Sequence, residues 1–201
     1  FLMQASLAAE NFIRDLLGNM IALKIDEMFY YGEGAQSEPL GIVNTPGVGS
    51  VVFGGAATFA KMVSFETSLA NANADTTGNL SFVTTPAVRA TLKTAAKIPT
   101  GGSAIYPSFL WEDGNFNDDS GDGKVNAYRA AASNQIRNNQ VIFGNFSDAV
   151  VGIFGNDAAD IIINPYSRDI DAAVRITMHI FFDVAVRHPV SFCASADAGN
   201  Q

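Results

Sequence analysis

Cysteine, histidine and charge are all scarce in this chain. Its one cysteine, Cys193, excludes an internal disulfide and argues for a reducing compartment or no redox constraint. With only His179 and His188 beside it, a structural zinc site is nearly excluded as well. No Gly-x-Ser-x-Gly turn occurs for a Ser–His–Asp triad, and Cys193 lies in an apolar stretch that suits a buried, inert thiol. No run of 18 apolar residues exists, so no membrane-spanning helix is expected. The opening Phe1-Leu2-Met3-Gln4 lacks both an initiator methionine and a basic signal start, and reads as the middle of a domain in a fragment or processed product.

Charged residues make up 16% of the 201 positions and hydrophobic ones 48%. A chain with so few charges hides surface in partners or dissolves poorly alone, which points toward assembly. Acids outnumber bases by 20 to 12, for a net charge of −8. The bases are scattered, the nearest to clusters being Lys93 with Lys97 and Arg129 with Arg137. Tight nucleic-acid binding needs clustered bases that release counterions, so this surface suits lying beside DNA rather than gripping it.

What is present begins with a helix. From Ser6 to Tyr31 apolar residues fall at Phe12, Ile13, Leu16, Leu17, Met20, Ile21, Ile25, Met28 and Phe29, the spacing of one helical face, with Gly32 and Gly34 at the stop. Its length makes it a structural spine. A loop rich in Gly, Pro and Asn follows over 32–47, with one short extended piece. A second helix is predicted from Thr58, its cap, to Asn73, and a buried strand over Leu80–Thr84. Pro86 then starts a short helix over Ala87–Lys97. Trp111–Lys124 reads as loop. Strands are expected at Val141–Phe143, Val150–Phe154, Ile161–Ile163 and Val190–Ala194, and a long one over Ala172–Val186, buried in part on both faces. The class is α+β, of mixed type.

Each candidate for chemistry has a plainer reading. Asp118, Ser120, Asp122 and Gly123 match positions one, three, five and six of a calcium loop, but Arg129 stands where the bidentate glutamate belongs. A solvated turn is preferred, with an unspecific cation among crowded carboxylates as the alternative. Gly32-Glu33-Gly34 and Gly54-Gly55 lack the lysine or spacing of a phosphate loop and serve as turns. Asp26 and Glu27 sit at the helix end where the dipole disfavours them, which fits either a partner base across a subunit contact or a solvated end. The 15 phenylalanines are the largest excess. Phe181, Phe182 and Phe192 are expected in the core. Phe53, Phe59, Phe109 and Phe116, in glycine-rich surroundings, are the candidate anchors for neighbouring subunits, although core is the simpler reading for any one of them. No catalytic, cofactor or metal residue emerges.

Four passages in order carry a family resemblance. They are Ile25-Asp26-Glu27-Met28-Phe29-Tyr30-Tyr31-Gly32-Glu33-Gly34 with Glu38-Pro39-Leu40-Gly41-Ile42-Val43-Asn44, then Phe82-Val83-Thr84-Thr85-Pro86 with the helix to Leu92, then Val141-Ile142-Phe143-Gly144-Asn145-Phe146-Ser147, and last Asp183-Val184-Ala185-Val186-Arg187-His188-Pro189-Val190-Ser191-Phe192. The set resembles the C-terminal two-thirds of tailed-bacteriophage major capsid proteins with the Hong Kong 97-like fold, with Asn145 where Asp is common. That family's N-terminal arm and extended loop precede the spine helix, and neither is in this chain.

The resemblance implies a peripheral subdomain of spine helix and long strands over 1–55 and 165–201. It also implies an axial subdomain over 56–164 at the capsomer centre. The implied function is structural: self-assembly into pentamers and hexamers of an icosahedral head that encloses DNA without specific contacts. Portal, scaffold or maturation protease are the implied partners, with no membrane, no cofactor and no enzymatic activity. The virion is the implied location, after assembly in the bacterial host cytoplasm. Some family members lock their shells with a Lys–Asn isopeptide bond; the matching stretch here, Asp169-Ile170-Asp171-Ala172-Ala173-Val174, has no Asn, so no covalent lock is expected. An encapsulin-type nanocompartment shell is the nearer alternative, and a soluble α/β hydrolase or ligand-binding protein the distant one.

Overall fold

The computed structural model describes residues 7–74, 78–97, 108–113, 123–155, 160–164, 166–167, 170–171 and 174–198, with the side chains of 7–10 left out. The spine helix forms as its periodicity predicts: α1 spans Leu7–Tyr31, 25 residues, or about 37 Å at 1.5 Å per residue. Both shorter helices are capped by a threonine, Thr58 as read from the sequence and Thr85 as the structure adds. In α2 (Phe59–Asn71) the Thr58 side chain accepts a hydrogen bond from the Lys61 amide. In α3 (Pro86–Thr94) Thr85 accepts from the Val88 amide and Pro86 opens the first turn. Because α3 ends at Thr94, Lys97 lies beyond it.

Among the described residues eleven strands form one mixed sheet and two flanking pairs: β1 (Gly49–Ser50), β2 (Leu80–Thr84), β3 (Trp111–Asp113), β4 (Gly123–Val125), β5 (Tyr128–Ala132), β6 (Val141–Asn145), β7 (Ala149–Phe154) and β8 (Asp160–Asn164). The last three are β9 (Arg175–His179), β10 (Phe181–Val186) and β11 (Phe192–Ser195). The large sheet has seven strands in the order β1-β11-β6-β2-β5-β4-β3. The β2–β5 and β1–β11 pairs are parallel and the rest antiparallel. The segment expected as loop from Trp111 therefore begins and ends in a hairpin, since Trp111 pairs with Val125 and Asp113 with Gly123. The Asp-rich stretch inside it, with Phe116 and the candidate calcium positions Asp118, Ser120 and Asp122, lies outside the described residues.

The sheet is covered on both faces, and its central strands alternate between the two. Leu80, Phe82, Val141 and Phe143 turn to the main core, where α2 contributes Met62, Phe65 and Leu69 and α3 contributes Val88 and Leu92. Val83 and Ile142 turn the other way, onto Tyr31 at the end of α1 and Ile136. That double cover explains why β6 opens with the unbroken apolar run Val141-Ile142-Phe143. The main core is aromatic: Phe143 stacks on Phe82 with centroids 4.2 Å apart, and Phe65 meets both edge-on.

Strand pairing crosses the boundaries expected at 55/56 and 164/165. Edge strand β1 and its neighbour β11 join the sheet of β2 to β6, while β7 pairs with β10 and β8 with β9 as two-stranded antiparallel sheets. Backbone amides need a ladder partner wherever water is excluded, and the partners come from across those boundaries.

The C-terminal residues close onto the loop before α2. Asp197 Oδ1 and Oδ2 accept the Phe53 amide at 3.0 and 3.1 Å, Oδ2 accepts the Gly54 amide at 2.9 Å, and the Ser195 hydroxyl adds a bond of 2.8 Å. The Gly54 amide first, then that of Phe53, holds the Asp197 carboxyl below its usual pKa. A depressed pKa contributes stability above the unfolded value that is lost as pH falls through the folded one. Asp197→Asn is expected to cost about 1–2 kcal/mol at pH 7, a figure already lowered for partial exposure. Urea titrations of both proteins from pH 7 to about pH 2.5 should show the gap closing at the acid end. A gap of constant size would mean that shape and not charge holds the loop.

Candidate functional site: the helix collar and the uncovered faces

A helix leaves its last four carbonyls without partners, and the chain supplies them from one short passage. Phe29 O accepts from the Ile42 amide at 3.0 Å and Tyr30 O from the Val43 amide at 3.0 Å. The Asn44 side chain donates to Tyr31 O at 2.9 Å and to Gly32 O at 3.0 Å, and Gly32 O also takes the Gly41 amide at 2.9 Å. Two glycines permit this approach: a Cβ on Gly32 would lie 2.1 Å from Pro39 O, and one on Gly41 would lie 2.5 Å from Gly32 N. The glycines, proline and asparagine that mark this passage in the sequence form a collar that fixes the spine helix to the sheet.

Tyr31 completes the joint. Its hydroxyl accepts the Arg137 amide at 3.0 Å and donates to Gln140 Oε1, while the Arg137 guanidinium stacks 4.4 Å over its ring. Burial raises its pKa, and burial with the nearby Asp26 charge pushes Tyr30 to about 12. A shallow cleft of about 180 Å³ opens beside the joint, lined by Lys24, Glu27, Glu33, Glu38 and Arg137 among others. Glu27 is bound within the chain by Lys24 at 2.8 Å, whereas Asp26 stands exposed on the next helical position.

The anchor phenylalanines divide. Phe53 is 4% exposed and packs on Phe65 inside the main core, so it offers nothing to a neighbour. Phe59 is half-buried against the same core under the Lys97 ammonium. Phe109 remains at the surface beside Ala96. Phe192 is buried as expected, but Phe181 is 69% exposed and Phe182 only half-buried, because among the described residues β10 has one neighbouring strand and no second layer over its outer face.

The same correction applies to the spine helix and the long strand. On α1, Ile13, Leu17, Ile21, Ile25 and Met28 are half-buried, whereas Phe12, Leu16, Met20 and Leu23 form a second stripe turned to solvent. By the turn of the helix the two stripes lie roughly a third of a circle apart. Over 174–187 even-numbered residues are covered and odd-numbered ones largely exposed, so the strand is one-sided. The helical signal was present in the sequence: α1 is apolar on more than one face, the mark of a helix covered from more than one side.

No catalytic arrangement appears among the described residues. His179 and His188 are exposed, and Cys193 is buried beside Ser68, where burial pushes its thiol pKa up. No group of three metal-ligating side chains gathers among them. Around α3, Lys93 and Arg89 meet Asp113 at 2.6 and 3.5 Å, Lys97 meets Glu112, and Arg89 lies 5.1 Å over Trp111. The few bases there are paired with acids, which suits a surface that does not grip phosphates.

A spine helix collared onto a mixed sheet, with a two-stranded arm beside it, is the Hong Kong 97-like fold of capsid subunits. Solved structures share it: the capsid of a native GTA particle computed with C5 symmetry (TM-score 0.69, 16% identity, 98% of this chain and 68% of that one) and Gordonia phage Cozz (TM-score 0.64, 16% identity, 95% and 64%). The "Major capsid protein" of Halomonas phage phiHAP-1 is 27% identical over 184 residues, covering 91% of this chain and 27% of that relative. The Phage capsid family model matches residues 1–196, and the chain belongs to that family. It spans about a quarter of the length of the Halomonas phage relative.

Proposed function

We propose that this chain is the shell-forming part of a phage or prophage major capsid protein, assembling into pentamers and hexamers of an icosahedral head around DNA. One observation carries the reading beyond family membership: apolar stripes on α1 and on the β7–β10 arm are left bare by the chain's own fold, as expected where neighbours supply the cover. The work is geometric. Repeated contacts close into rings when the rotation between copies fits, and no side chain needs to react. The net charge of −8 lets packed DNA lie against the wall without being held.

In this reading α1 and the paired strands β7–β10 and β8–β9 form the peripheral part, and the seven-stranded sheet with α2 and α3 packs around the capsomer axis. Phe109 and Asp26, both exposed, remain candidate contact residues. Portal, scaffold and protease would meet the assembled shell in the host cytoplasm, and the virion is its final place. Negative-stain electron microscopy of the full gene product should show uniform closed shells or capsomer rings. Only monomers or dimers, across salt and concentration, would overturn the reading.

A further inference from the structure

We draw no further inference here: the strongest candidate, the apolar surface of β7 and β8 with Val150, Val151, Ile153, Phe154, Ile162 and Ile163 exposed, carries nothing, because nothing in the structure shows what covers it and charge selects no partner where Asp160 and Asp183 share the arm with Arg175 and Arg187.

Discussion

Gly41→Ala is expected to destabilise the chain by about 3 kcal/mol or more, or to prevent folding. The new Cβ would sit 2.5 Å from Gly32 N and 2.6 Å from Tyr30 C and Tyr31 N, well inside contact distance. These are backbone atoms, so no side chain can rotate away. Relief requires withdrawing residues 41–43 from the helix end, which breaks the bonds from the Gly41, Ile42 and Val43 amides to Gly32, Phe29 and Tyr30 carbonyls. Each bond contributes about 0.5–1.5 kcal/mol net, and the buried carbonyls left behind cost more. In a domain of this size that is a fall in Tm of roughly 6–12 °C. Gly18→Ala serves as control, because nothing lies within 4 Å of its added Cβ. In mid-helix that change should stabilise by up to about 1 kcal/mol. Thermal unfolding followed by circular dichroism reads both; a Gly41→Ala protein within 1 kcal/mol of wild type would mean that the collar yields easily.

Phe143→Ala is expected to cost about 3–5 kcal/mol. The side chain is fully buried, stacked 4.2 Å from Phe82, 5.3 Å from Tyr128 and 6.4 Å from Phe65 by ring centroids. Its neighbours are rigid rings on a sheet and a helix, so the vacated space cannot collapse, and the cavity adds to the lost transfer energy. A urea midpoint lowered at unchanged slope would report this as lost stability rather than a changed unfolded state. Phe154→Ala, with its ring in solvent, should stay within about 0.5 kcal/mol. If the two changes cost the same, Phe143 is not at the centre of the core.

The collar bears on how far such a sequence can be read. Glycine and proline around Gly32 and Gly41 announced a turn, and that much was right. Their particular necessity, two backbones touching, needs both strands of the passage in view. Strand β5 left almost no local trace: Tyr128-Arg129-Ala130-Ala131-Ala132 has little β propensity. It is a strand because β2 runs parallel beside it and β4 antiparallel on its other side. Phe181 was expected in the core for its chemistry, yet burial depends on whether a second layer exists above it.

By itself the sequence determined the class and the spine. Helix periodicity, the Thr58 cap, Pro86, the strand pattern at 80–84 and the apolar run at 141–143 are signals that act within a few residues, so they survive without a fold. The poverty of charge and the acidic balance likewise belong to composition alone. The tertiary structure decided what covers what: that β1 and β11 join the main sheet, that Phe53 is core and Phe181 is not, and that α1 keeps one apolar stripe in water. Burial is a property of what packs above a residue, and partners distant in sequence, or on another copy, supply it.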